Sequence, residues 1–167
     1  QVASGTSEVV NFTVEVTDVQ TPPASDTEIV GLTVTSENDA PTISGTMTLI
    51  ALNDTVTALT KLVNTVTIAD VDPGETLRLT VTLTNVANGT FGGLGAFTAS
   101  GGGLIYTLDS TSATALNTAC AGITFVPTEN RFQPDTTQDS TIAVSVSDGD
   151  VSATPVLPAR TIQVTSI

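Results

Sequence analysis

Phe12-Thr13-Val14-Glu15-Val16-Thr17-Asp18 and Leu32-Thr33-Val34-Thr35-Ser36 decide the fold. Both return 130 residues later, as Ile142-Ala143-Val144-Ser145-Val146-Ser147-Asp148 and Ile162-Gln163-Val164-Thr165-Ser166. The offset is constant between residues 11–37 and 141–167, without a gap, and six of the 27 aligned positions are identical. A fixed self-similarity of this kind marks a repeat architecture. Val10, Phe12, Val14 and Val16 alternate with Asn11, Thr13, Glu15 and Thr17, the period of two that gives a strand one apolar and one polar face. Asp18 to Thr27, with Pro22 and Pro23, reads as a loop, and alternation resumes from Ile29 to Thr35 through Val30, Leu32 and Val34. A two-stranded unit is marginal in water, so this pair is expected to dock its apolar face on another sheet, in this chain or a neighbour.

The second copy closes a long β-rich stretch, whereas little sequence stands before the first. The first copy is therefore expected to be the tail end of a domain whose front lies elsewhere. Glu37-Asn38-Asp39-Ala40-Pro41 breaks the pattern, because Pro41 has no NH and Asn and Asp favour turns. This places a boundary between an N-terminal β segment at 1–37 and a domain at 38–167. Strands are expected at 42–50, 62–69, 75–84, 95–99, 103–108, 123–126, 140–147 and 160–166, and a short helical crossover at 111–120. Many short strands between Gly, Asn, Asp and Pro argue for an antiparallel sandwich, not a parallel sheet. Asn88-Gly89 and Gly92-Gly93 read as turns.

Composition narrows the function. Seventeen acidic residues face only Lys61, Arg78, Arg131 and Arg160, a formal net charge of −13. That balance lacks the basic footprint of a nucleic-acid binder and opposes adsorption to anionic membranes. No apolar run reaches the roughly 20 residues needed to span a bilayer. The start at Gln1 instead of Met points to a processed or excised chain. With no histidine, one cysteine and one tyrosine, the usual general bases and nucleophilic triads are missing, and the chain reads as a non-enzyme. Cys120 has no internal disulfide partner and is expected to be a small buried apolar residue.

Asp70-Val71-Asp72 with Glu75 places hard oxygen ligands on one short turn, the supply calcium prefers, and Asp39 is positioned to join them. Asp148 and Asp150 form a second acidic turn. Asn11-Phe12-Thr13, Asn53-Asp54-Thr55 and Asn88-Gly89-Thr90 satisfy the N-glycosylation triplet. Arg131 is expected to pair with a carboxylate of its own fold.

Asn38-Asp39-Ala40-Pro41-Thr42-Ile43, then Ala69-Asp70-Val71-Asp72-Pro73-Gly74-Glu75-Thr76-Leu77, resembles the cadherin-like and immunoglobulin-like tandem repeats of bacterial surface proteins. The resemblance runs on through Gly89-Thr90-Phe91, Ile123 to Asn130 and Val144-Ser145-Val146-Ser147-Asp148-Gly149. It implies an all-β, immunoglobulin/cadherin-like antiparallel β-sandwich with an extra N-terminal β segment. It also implies an extracellular, cell-surface place in stalks, adhesins and fibres, calcium near the junctions, and no catalysis. The unaccompanied first hairpin resembles the donor segment of donor-strand-exchange pilus subunits. The expected function is thus a structural subunit of a pilus-like homopolymer of identical subunits, joined by donation of the N-terminal strand through Val10, Phe12, Val14 and Val16. No cofactor is required on this reading, calcium at Asp39, Asp70, Asp72 and Glu75 being an addition. The alternatives are a calcium-stabilised stalk repeat of a large adhesin and, below it, a carbohydrate-binding module.

Overall fold

The computed structural model describes residues 5–47, 50–55, 60–72, 74–149 and 154–167. Residues up to Asp39, with Asp72–Gly74, form one unit, and Ala40–Val71 with Glu75–Ile167 form the other.

The first unit is built on a hairpin of β1 (Ser7–Thr17) and β2 (Ser25–Thr35), paired antiparallel from Ser7↔Thr35 to Thr17↔Ser25. Asp18 closes the β1 end. Its Oδ1 accepts from the backbone NH groups of Gln20 at 3.1 Å and Ala24 at 2.9 Å, the local bonding that makes Asp a turn residue. Val10, Phe12, Val14 and Val16 occupy one face of β1, and register sets Val30 and Leu32 of β2 opposite Phe12 and Val10 on that face.

The second unit contains β3 (Thr42–Met47), β4 (Ile50–Asn53), β5 (Thr60–Lys61), β6 (Val63–Ala69), β7 (Leu77–Leu83), β8 (Gly89–Gly92), β9 (Thr98–Ser100) and β10 (Ile105–Ser110). A nine-residue helix α1 (Ala113–Ala121) follows, then β11 (Thr124–Pro127), β12 (Thr137–Ser147) and β13 (Arg160–Thr165). One layer is a six-stranded sheet in the order β4-β13-β12-β7-β10-β9. The two-stranded sheet β3-β6 and the three-stranded sheet β5-β11-β8 supply the other layer. Pairing is antiparallel except between β13 and β4, which run parallel from Ile162↔Ile50 to Thr165↔Asn53. The expected antiparallel β-sandwich with an added N-terminal β segment is the observed architecture.

Alternation explains the core. Leu77, Leu79, Val81 and Leu83 of β7 point inward while Arg78, Thr80 and Thr82 point out. Ile142, Val144 and Val146 of β12 join them, with Ile162 and Val164 of β13. The opposing layer supplies Met47, Leu62, Val63, Ile68, Phe91 and Phe125. Each large side chain fully buried stabilises the unit by ~1.5–3 kcal/mol before entropy is counted. Helix α1 begins where Ser112 accepts from Ala115 NH, and buries Leu116 and Cys120. Its Asn117 amide accepts from Ile68 NH at 2.7 Å and donates to Ile68 carbonyl at 3.3 Å, so the helix is bonded to β6 as a strand edge would be.

Three local expectations change. Asn88-Gly89 is not a hairpin turn: Gly89 starts β8, because a Cβ there would lie 2.4 Å from Phe125 Cζ and Val126 O. The Ile50–Asn53 stretch is a strand of its own, and Thr48 and Leu49, placed by sequence within the 42–50 strand, lie outside the described residues. The 95–99 strand moves to Thr98–Ser100, since Phe97 NH closes a turn onto Leu94 carbonyl at 2.8 Å.

Candidate functional site

The repeat read from sequence is also a repeat of hydrogen-bond register. Thr137↔Thr165 through Ile142↔Arg160 carry numbers 130 higher than Ser7↔Thr35 through Phe12↔Val30. The hydroxyls of Ser7 and Thr35 meet at 2.9 Å, as do those of Thr137 and Thr165. Gly5 NH donates to Ser36 carbonyl and Ser36 NH to Thr6 carbonyl, both at 3.0 Å. Asp135 NH donates to Ser166 carbonyl and Ser166 NH to Thr136 carbonyl, both at 2.9 Å. The copies diverge only beyond Ile142. Pro158 stands where Glu28 stands and has no NH, and Leu157 NH instead reaches Val144 carbonyl at 2.9 Å.

The difference between the copies lies in what covers them. Val144, Val146 and Val164 are fully buried between the layers of the second unit. Their counterparts Val14, Val16 and Val34 are 49%, 68% and 42% exposed, and Phe12 is 50% exposed. The four residues expected to carry subunit contacts, Val10, Phe12, Val14 and Val16, therefore lie together on an open apolar face. β1 is not a lone strand, however. It is paired along its whole length with β2, so what it can contribute to a neighbour is a two-stranded face.

The acidic residues separate into two sets. One ligand oxygen from each of Asp70, Asp72 and Glu75 lies within 4.8 Å of the others, all on the loop from β6 to β7. Oxygens about 2.4 Å from one cation stand up to ~4.8 Å apart, so this spacing suits the hard-ligand chemistry of calcium. Asp72 is buried, and Asp70 Oδ2 and Glu75 Oε2 are screened from solvent. Asp39 contributes differently from expectation: its backbone NH donates to Asp72 Oδ2 at 2.7 Å, orienting that carboxylate, while its own side chain is not among the converging three. Asp150, of the second acidic turn, lies outside the described residues.

Sequence reading missed Asp54, which is buried at the end of β4. Its Oδ2 accepts from Ser166 Oγ at 2.8 Å and Asn130 NH at 3.1 Å, and its Oδ1 from Ile167 NH at 3.3 Å. Nothing but a polar residue closing a short apolar run marks it in the sequence. Arg131 does not pair with a carboxylate among the described residues: its guanidinium lies 5.8 Å from the Phe132 ring, beside an open groove reaching Gln138. The salt bridge described is Arg78–Asp109, a two-pronged contact with both bonds at 2.8 Å on the exposed face of the sheet. That hydrogen bonding holds the Asp109 carboxyl below its ordinary range. Of the glycosylation triplets, Asn88 is buried and its amide donates to Asp139 carbonyl at 3.1 Å and Ser140 Oγ at 3.0 Å, which closes it to modification in the folded unit.

Cys120 is free and buried, as expected, and burial pushes its thiol up to about 11. A folded pKa above the unfolded value means full stability below pH ~9, lost as pH rises from there towards 11. The loss should approach ~2–3 kcal/mol at the top of that window. Denaturant midpoints of the wild type and Cys120→Ala between pH 8 and 11 should therefore converge as pH rises; a constant gap would contradict it.

No protein-family model matches this chain, and no curated protein matches it. Among solved structures it is similar to mouse cadherin-23 EC22-24, at 17% identity and a TM-score of 0.41. That likeness covers 95% of this chain and 42% of the other, so the chain spans less than half the length of its neighbour. No helix among the described residues is long and apolar enough to cross a membrane.

Proposed function

We propose that the chain is a structural building block of an extracellular filament or stalk, in which β-sandwich units are joined through the β1–β2 hairpin. One observation carries this reading: a hairpin with the register of β12–β13 presents the same apolar face, and that face is open. Four anchors on β1, at ~1.5–3 kcal/mol each when fully buried, give a partner roughly 6–12 kcal/mol before ordering costs. Seating a β-hairpin on a sheet edge also satisfies backbone groups, as in β-augmentation. Because β1 arrives already paired, donation here is of a two-stranded element. A contact of this heterologous type propagates into an open fibre whenever its rotation does not close a ring.

Phe12→Asp with Val14→Asp places two charges on that face and leaves the sequence of the second unit unchanged. Electron microscopy of surface material from cells that make the chain, where the receiving unit is present, should show ordered assemblies with the wild type and dispersed chains with the double variant. Unchanged assembly size in the variant would refute the hairpin as joint.

The loop of Asp70, Asp72 and Glu75 favours the stalk form of the same reading, with calcium holding the loop. A cation at ten times its Kd stabilises the state that binds it by about 1.4 kcal/mol. Millimolar calcium should accordingly raise Tm by ~3–8 °C, and Asp72→Asn should abolish the shift. Equal melting with calcium and with chelator would exclude calcium from this loop.

A further inference from the structure

The open hairpin face carries more information than its polarity, because its covered twin shows what a seat for it looks like. Val14, Val16 and Val34 match Val144, Val146 and Val164 residue for residue, and Leu32 replaces Ile162. Ser36 matches Ser166, whose hydroxyl is latched 2.8 Å from Asp54 Oδ2. Two positions do not match. Phe12 stands where Ile142 stands, and Val10 stands where the buried Ser140 accepts from the Asn88 amide at 3.0 Å and donates to Asn85 carbonyl at 3.2 Å. A valine there would remove one of the two acceptors of the Asn88 amide, leaving one buried N–H without its hydroxyl, and a phenyl ring would overfill a site shaped for isoleucine.

We infer that the β1–β2 hairpin seats on a sandwich front of the same design as Ala40–Pro134, in the place β12–β13 takes, and that this front is apolar where Asn88 stands and carries a carboxylate where Asp54 stands. The inference rests on the hairpin being the joint. It adds which surface accepts it and why this chain's own front does not. The hydroxyl and following NH of the Ser36–Glu37 step are the groups such a carboxylate would receive, as Asp54 receives Ser166 and Ile167. Val10 and Phe12 act as selectivity residues: they exclude the seat held by β12–β13 and so keep the hairpin for its partner.

The test uses the full chain in a Cys120→Ala background, unfolded and then refolded under oxidising conditions, with disulfides mapped by mass spectrometry. Ser166→Cys with Asp54→Cys calibrates crosslinking of an occupied seat. Ser36→Cys with Asp54→Cys reads occupation of that seat by β1–β2 and should crosslink weakly. Adding Val10→Ser and Phe12→Ile should raise its yield at least about tenfold, the factor expected from restoring one buried hydrogen bond. Val10→Ser alone, which leaves the ring in place, should give an intermediate yield.

Folded variants that crosslink no more than the parent pair would overturn the shared seat. A parent pair that already crosslinks as strongly as the matched one would overturn the selectivity of Val10 and Phe12. Efficient Phe12→Cys self-crosslinking between native copies would show the face packed on another hairpin, overturning this inference while leaving the assembly role intact. Conversely, unchanged assembly of Phe12→Asp/Val14→Asp would remove the assembly role whatever the crosslinks show.

Discussion

Replacing Phe125 with alanine should destabilise the second unit by ~3–5 kcal/mol, the range for emptying a buried aromatic site. Phe125 is fully buried on β11, with its ring edge-on to Phe91 at 6.2 Å, and Phe91 in turn tilts against Tyr106 at 5.4 Å. The site cannot collapse easily, because Gly89 already brings the β8 backbone against the ring. A domain stabilised by about 5–15 kcal/mol would lose a large part of that total. Urea unfolding should show the midpoint falling with an unchanged slope. A loss under ~1 kcal/mol would mean that the ring is not packed as described.

Asp54→Ala should rank next, at ~2–4 kcal/mol, because it leaves three donors without their charged acceptor in a buried place. Ser166 keeps a contact to Phe132 carbonyl at 3.2 Å, whereas Asn130 NH and Ile167 NH have no other acceptor among the described residues. The loss should be local before it is global. Amide exchange at Ser166 and Ile167 should accelerate well ahead of exchange in β7, and equal acceleration in both would argue against a terminal latch. Asp54→Asn keeps one acceptor oxygen and should fall between alanine and wild type.

Much of this is legible in the sequence. The strict alternation of β7 and β12 fixed which side chains face inward, since a period of two has no other reading on a half-buried sheet. The 130-residue offset located the hairpin, and the structure extends it back to Gly5 and Asp135 through the backbone bonds to Ser36 and Ser166 and the paired hydroxyls of Ser7–Thr35 and Thr137–Thr165. Asp70, Asp72 and Glu75 were readable because three carboxylates lie within six residues. Asp39 was half readable: the sequence showed the carboxylate but could not show that the NH does the bonding. β8 was hidden because Gly89 serves close approach to Phe125, a tertiary need that looks like a turn signal locally. Asp54 was hidden for a related reason, its partners being 76, 112 and 113 residues away.

The parallel pairing of β4 with β13 has a mechanical consequence. Parallel neighbours pulled in opposite directions along their axes load their hydrogen bonds in shear, all at once, whereas a hairpin pulled at its open end unzips bond by bond. Tension that draws Ile50 backward and Ile167 forward falls on the ladder from Ile50↔Ile162 to Asn53↔Thr165, with Asp54 NH on Thr165 carbonyl at 2.9 Å and the Asp54 carboxylate sharing the load. Resistance to force is governed by the unfolding rate, not by equilibrium stability. The four-residue strand that alternation failed to announce is, on this geometry, the clamp that sets how hard the sandwich can be stretched before it opens.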